Sequence, residues 1–427
     1  MIDKMEKAQL VTFPSVVEAP LIIVKIGDYT FGGCTKASMQ TASGRSTTIT
    51  FPNFLQSINI VKINGQVNIY TIRMIYGITK GDDPNLIDKV LSTVKDTRRI
   101  TITYGDAAYP EMVYANESAI ITKVSTNINF AGSQIQYVIN ATSDAIQLQA
   151  NNYTFPKREA KPSDVITEML YSGKYGLLDV FPGMKNKSKV LENGLIATDD
   201  KVVPIEIKQS MNALDYLNFL TNNMSSNTYT SSNTLFKDAI YMLNINDDIN
   251  GDLGGQYFEI KKVPVLSGSS ASSNGSSFLV SNPYEVWIGY PGDNFVTDFK
   301  INTDEGYSIL YDYGNSINGV ERVYKIDSNG MMTTEYSPAM ARSSDTFRTN
   351  SAEKGWWTKM TQFPITATLT LKGLLRPSIL MSYVKINTVF FGQRHTSSGT
   401  YIITRQEDTV DGSGYKTTLT LLRVQGE

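Results

Sequence analysis

The chain has 427 residues, 41% hydrophobic and 19% charged, the balance of a folded protein long enough for two or more cores. Its 39 basic residues meet 41 acidic ones, and a formal charge of −2 gives no overall steering toward nucleic acid or an anionic membrane. The one cysteine, Cys34, cannot make an internal disulfide and has no nearby His or Cys to share a zinc ion. The one histidine, His395, has neither a nucleophile partner nor a second metal ligand by motif, which argues against histidine-dependent triads and multi-histidine metal sites.

Met1 to Pro20 mixes Lys, Glu and Asp without a long apolar core, so no signal peptide is expected. Leu21-Ile-Ile-Val24 is too short to span a bilayer, and no stable membrane insertion is expected. Leu21 to Ile26 is predicted as the first strand, turned by Gly27-Asp28 into Tyr29-Thr30-Phe31. Ile58/Ile60 and Val67/Ile69 alternate on either side of Asn64-Gly65, a strong hairpin turn, and Val67 to Tyr76 is a long strand candidate. One helix follows, capped by Asp83, with Pro84 at its first position and Leu86, Ile87, Val90, Leu91 and Val94 on one face. Arg99 to Tyr104, Ala119 to Val124 and Gln134 to Asn140 are further strands. Residues 1–150 thus read as a first domain, a small barrel or sandwich with one packed helix.

Residues 151–265 change to a mixed domain. Ser163 is expected to cap a helix with Val165, Ile166, Met169 and Leu170 inward, and Ser210 to start another with Leu214, Leu217, Leu220 and Met224. Leu235 to Ile245 and Gln256 to Val263 read as a hairpin. Residues 266–281 are a Ser/Gly-rich connection, since Ser267 to Ser277 offers almost no apolar area to bury. A second β domain, 282–427, begins with Glu285 to Tyr290 and Asn294 to Thr303 and is interrupted by an irregular polar insertion at about 314–362. Trp356 and Trp357, near the end of that insertion, read as packing anchors.

The closing stretch is the most informative. Thr368-Leu369-Thr370-Leu371 alternates up to Gly373 and Pro377, Tyr383 to Phe391 is a β-branched and aromatic run, and Tyr401-Ile402-Ile403-Thr404 follows a Gly392-to-Gly399 connection. Asp411-Gly412-Ser413-Gly414 then turns the chain into a last strand that ends at Val424. There is also an internal echo. Ala119-Ile-Ile-Thr-Lys123, leading through Gly132-Ser133 to a strand, matches Tyr401-Ile-Ile-Thr-Arg405, leading through Gly412-Ser413, with spacings two residues apart.

The order Leu369, Leu371, Gly373, then Ser398, Gly399, Tyr401, Ile403, then Gly414, Tyr415, Thr417, Leu419, Leu421 resembles the closing segment of baseplate hub proteins of phage tails and related contractile injection machines. Gln209, Ser210, Leu214 and Leu217 match a second, looser element of that family, and Ser378 stands where the family often has Gly. The resemblance implies an α+β, mainly β chain: two tail-tube-like antiparallel β-barrels with packed helices, a helical and mixed middle region, and the irregular insertion. It also implies a structural virion protein, a homotrimer whose three subunits form a pseudo-sixfold ring joining the tail tube to the central spike. The implied partners are copies of itself, the tail tube protein and the central spike protein, with baseplate wedge and tape measure proteins as further candidates. Assembly would take place in the host cytoplasm.

Enzyme signatures do not appear: there is no phosphate-binding G-x-x-x-x-G-K-[ST], no G-x-S-x-G and no His-Glu-x-x-His. No catalytic, cofactor-binding or metal-binding residue is assigned, and scattered Lys and Arg give no basic stripe for nucleic acid. Asp248, Asn250, Asp252 and Glu259 have the first, third, fifth and twelfth spacing of a calcium loop, but Leu253 stands where the bend needs Gly; a polar hairpin turn is the expected reading. His395 is read as a loop residue. The alternative functions are a carbohydrate- or receptor-binding β protein of a tail, which would stack sugars on Tyr and Trp, and a hub-embedded peptidoglycan hydrolase built on an Asp/Glu pair.

Overall fold

Alternation of apolar and polar residues sets the first sheet. Its elements are β1 (Pro20–Ile26), β2 (Tyr29–Phe31), β3 (Ile49–Phe51), β4 (Leu55–Ile63), β5 (Ile69–Gly77), α1 (Leu86–Thr93), β6 (Arg99–Asp106), β7 (Val113–Asn129) and β8 (Gln134–Thr142). They lie in the order β4-β5-β8-β7-β6-β1-β2-β3, antiparallel except for β2 with β3. The period-2 pattern buries Ile58, Ile60, Tyr70, Ile72, Ile102, Tyr137 and Ile139 on one face, where α1 adds Ile87 and Val90. The helix begins at Leu86, later than Pro84, with the Asp83 carboxylate accepting the Asn85 N–H at 2.9 Å.

The computed structural model describes residues 20–32, 49–106, 113–206, 210–224, 240–263, 284–288, 296–303, 322–326, 332–336, 365–373 and 379–426, apart from 28, 52–53, 94–97, 130–132, 249–250, 396 and 413. Ser267 to Ser277, Trp356 and Trp357 lie outside the described residues.

The middle region has its own core. β9 (Asn152–Tyr153), β10 (Arg158–Ala160), α2 (Pro162–Tyr171), α3 (Leu177–Val180), α4 (Lys187–Glu192), β11 (Val203–Ile205), β12 (Met211–Asn212), α5 (Ala213–Asn223), β13 (Ile240–Asn246) and β14 (Tyr257–Val263) surround Phe155, Ile166, Phe181, Leu217 and Phe258. Two helix starts differ from the sequence reading. Lys161 is the N-cap of α2, with Pro162 in the first turn; Ser163 lies inside that turn and donates its N–H and Oγ to the Asp200 carboxylate at 2.9 and 2.5 Å. The longer-range carboxylate thus satisfies a donor that a local cap would have taken. Asn212, not Ser210, caps α5, accepting the Asp215 N–H at 2.8 Å.

The last third supplies β15 (Tyr284–Ile288), β16 (Val296–Thr303), β17 (Arg322–Ile326), β18 (Met332–Tyr336), β19 (Ile365–Lys372), β20 (Tyr383–Phe390), β21 (Gln393–Arg394), β22 (Gly399–Asp411) and β23 (Gly414–Gly426). β17 and β18 form a separate antiparallel hairpin within residues 314–362. The others run β16-β19-β23-β22-β20-β15, with the two-residue β21 folded back on β20, around Leu369, Leu371, Ile386, Tyr401, Ile403, Leu419 and Leu421. The protein is therefore mainly β with packed helices, and its large sheet is mostly antiparallel.

Five strands of the first sheet recur in the second. The run β4-β5-β8-β7-β6 matches β16-β19-β23-β22-β20 in spatial order and in chain order. The irregularities match as well. Gln56 of β4 and Thr297 of β16 are each skipped by the ladder, between Leu55 and Ser57 in one case and Val296 and Asp298 in the other. Thr122 and Thr404, the fourth residues of the two echoed pentapeptides, are skipped opposite β8 and β23. The hairpins close at equivalent pairs, Asn129 with Gln134 and Asp411 with Gly414. The outermost strands break the likeness, since β1 runs antiparallel to β6 and β15 parallel to β20.

Candidate assembly interface

The two modules meet strand to strand. β22 is long enough to fork: Gly399–Ile402 pairs with β20, and Arg405–Val410 pairs antiparallel with Ile63–Ile58 of β4, so both modules share one continuous sheet. The tip of the β22–β23 hairpin leaves its own core, and Val410 and Tyr415 pack among the buried residues of the first module. Asn59 Nδ2 donates to Glu407 Oε1 at 3.0 Å across the joint. Such a joint covers two sheet edges that would otherwise expose unpaired N–H and C=O groups.

Charge is buried beside this joint. Lys62 and Glu117 form an ion pair, with side chains 3% and 0% exposed, and the Tyr70 hydroxyl donates to the other Glu117 oxygen. Burial, then the Glu117 carboxylate, pushes the Tyr70 phenol well above its ordinary value. Asp408 is buried on β22 and accepts hydrogen bonds from Tyr415 Oη at 2.7 Å, Thr417 Oγ1 at 2.6 Å and Gln406 Nε2 at 2.7 Å. Burial raises its carboxyl to about 6 against these bonds, which favour the anion. Asp247, at the end of β13, is raised to about 7 by burial and by Glu117, while Lys62 and its bond from Gln256 oppose the shift. The Lys62 ammonium, paired with Glu117, opposes the upward shifts of both Asp247 and Asp408.

The middle region grips the joint through one turn. Asn64 N–H donates to Thr404 O at 3.1 Å, Gly65 N–H to Leu243 O at 2.8 Å, and Asn218 Nδ2 to Gly65 O at 2.6 Å. Gly65 has φ +69°, and a Cβ there would stand 2.1 Å from Asn218 Oδ1.

The remaining sequence candidates are placed as follows. The Asp248 carboxylate accepts the N–H groups of Asp252, Leu253 and Gly254 at 3.2, 2.8 and 2.6 Å and so shapes the β13–β14 turn. Glu259 lies on β14, paired with Lys261 and accepting from Asn246, and Asn250 is outside the described residues. His395 Nδ1 contacts Ser397 Oγ at 2.8 Å beside an open groove that also holds Trp287 and Phe390. No helix among the described residues is long and apolar enough to cross a membrane.

The chain is similar in overall structure to phage tail proteins. One is the 43 kDa tail protein of prophage MuSo2 from Shewanella oneidensis, with 10% identity, a TM-score of 0.48, and coverage of 95% of this chain and 98% of the other. Another is a tail protein from Neisseria meningitidis, with 9% identity, a TM-score of 0.47, and coverage of 95% and 98%. The chain is also similar to an E. coli component of the type VI secretion system, with 10% identity, a TM-score of 0.44, and coverage of 88% and 75%. No family model and no curated protein matches the sequence.

Proposed function

We propose that the protein is a structural subunit of a phage-tail-type machine, a baseplate or tail hub. Three copies would close a ring of six like modules between the tail tube and the central spike. The observation that carries this reading is the duplication: two modules with one strand order and matching bulges, joined edge to edge through β22 and β4. A chain built of two near-equivalent modules presents twice as many modules as copies, so three chains can face a sixfold partner on one side and a threefold partner on the other. The resemblance of the closing motifs, Leu369 to Leu421, to hub proteins supports the same assignment. On this reading the tail tube and the spike are its main partners and wedge and tape measure proteins its further neighbours. It is assembled in the host cytoplasm, resides in the virion, and works by adhesion and symmetry matching rather than by chemistry. Electron-microscopic averages of the purified assembly test it. The expected particle is a ring of six lobes with threefold symmetry; a twofold particle or a filament would overturn the reading.

A further inference from the structure

Each half of the internal joint has a counterpart elsewhere in the sheet, on β7 and on the end strand β16. In the second module the N-terminal part of β22 is held by β20, Ile403 N–H donates to Ser382 O at 3.0 Å, and the ladder then passes to β4. In the first module β6 holds β7 as far as Ile120, and Ile121 N–H donates to Arg98 O at 2.8 Å. Beyond that point Lys123–Ile128 has β8 on one side and, among the described residues, no strand on the other. This stretch is the equivalent of Arg405–Val410. At the far end, β16 is the equivalent of β4; it pairs with β19 and, among the described residues, has no strand on its other edge.

Side-chain exposure differs in the same places. Gln406 and Val410 are 0% and 2% exposed at the internal joint, whereas their equivalents Val124 and Ile128 are 39% and 53% exposed. On the facing strand Ile58 and Ile60 are buried, and their equivalents Phe299 and Ile301 are only partly buried. The β7 stretch carries no Pro and only one charge, Lys123, so the usual protections of a solvent edge are weak there.

We propose that Val124–Ile128 of one copy pairs antiparallel with β16 of a second copy, in the register of the internal joint. That register sets Ile128 opposite Phe299, Asn127 opposite Lys300, Thr126 opposite Ile301, Ser125 opposite Asn302 and Val124 opposite Thr303. Ile128 then enters the second copy's Leu369–Leu421 core as Val410 enters the core of the first module. The contact is head to tail, because the two surfaces differ, so it excludes a twofold dimer and gives a ring where its rotation closes. It rests on the ring reading for the number of copies; the pairing and its register come from the internal joint.

Paired cysteines in a Cys34→Ser background test the register, because opposed antiparallel residues lie about 4.5–5.5 Å apart between Cα atoms, within disulfide reach. Asn127→Cys with Lys300→Cys, and separately Thr126→Cys with Ile301→Cys, sample the two classes of pair. On mild oxidation at least one should give covalent dimers and trimers, and Val124→Cys with Phe299→Cys, four residues out of register, should give none. Thr126→Pro with Ile128→Glu should reduce the native mass to that of a monomer without changing the thermal midpoint by more than a few degrees. A trimer with no in-register cross-link, or with the out-of-register one, would overturn this joint and leave the ring reading standing. A monomer at every concentration, with no cross-link, would overturn both.

Discussion

Thr122 and Thr404 occupy the same structural position in two parts of one chain. Each is skipped by the ladder, and each turns its Oγ1 to a carbonyl of the paired strand, Asn140 O at 3.1 Å and Thr420 O at 3.2 Å. A threonine suits a bulge because its hydroxyl replaces part of the hydrogen bonding that the skipped residue forgoes. Thr404→Val, half-buried beside the joint, should cost about 1 kcal/mol of stability, while Thr122→Val, exposed where water can substitute, should cost clearly less. Urea unfolding of the two variants checks the difference.

Gly65 and Asn218 make a second test. Gly65→Ala combines a positive φ with a close approach to a side chain that is itself engaged, so it should cost more than about 1 kcal/mol. Asn218→Ala removes the clash and the hydrogen bond together. In its presence Gly65→Ala should cost less than alone, an interaction readable in a double-mutant cycle.

Lys62 and Glu117 are buried as a pair. Lys62→Met leaves the Glu117 carboxylate among Tyr70 and the other acids without that ammonium, and should destabilise by about 3–5 kcal/mol. Lys62→Met with Glu117→Leu should recover most of the loss, as judged by the urea midpoint.

The pH dependence has a definite sign. Asp408 and Asp247 are raised in the fold to about 6 and about 7 from an ordinary 3.8, so the native state holds their protons more tightly than the unfolded chain does. Their contribution is fully present below about pH 4 and is lost as pH rises through 6 and 7. Between pH 8 and pH 5 these two groups should therefore add stability, by on the order of 1–3 kcal/mol each. Asp408→Asn should reduce that gain, seen by comparing the urea midpoints of variant and parent at both pH values.

Local grammar made much of this fold legible. Asn64-Gly65 marked its hairpin, the apolar spacing from Leu86 marked α1, and the two Ile-Ile-Thr pentapeptides marked strands that prove equivalent down to the bulge. The β22–β4 joint was not legible, since Asn59 and Glu407 lie 348 residues apart and nothing local specifies which edge meets which. The buried charges left a faint trace. Lys62 follows Ile58 and Ile60 on the inward parity of β4, and Asp408 precedes Val410 on that of β22, so each breaks an apolar stripe. The start of α2 is hidden from a local cap rule because Ser163 is bonded by a carboxylate 37 residues away, whereas α5 has an ordinary local cap two residues after Ser210, in Asn212.

Native mass across a concentration series tests the central claim most directly. The ring of six modules predicts a discrete species at three times 47.3 kDa, with no even-numbered series beside it. A stable dimer, or an open ladder of growing oligomers, would contradict it.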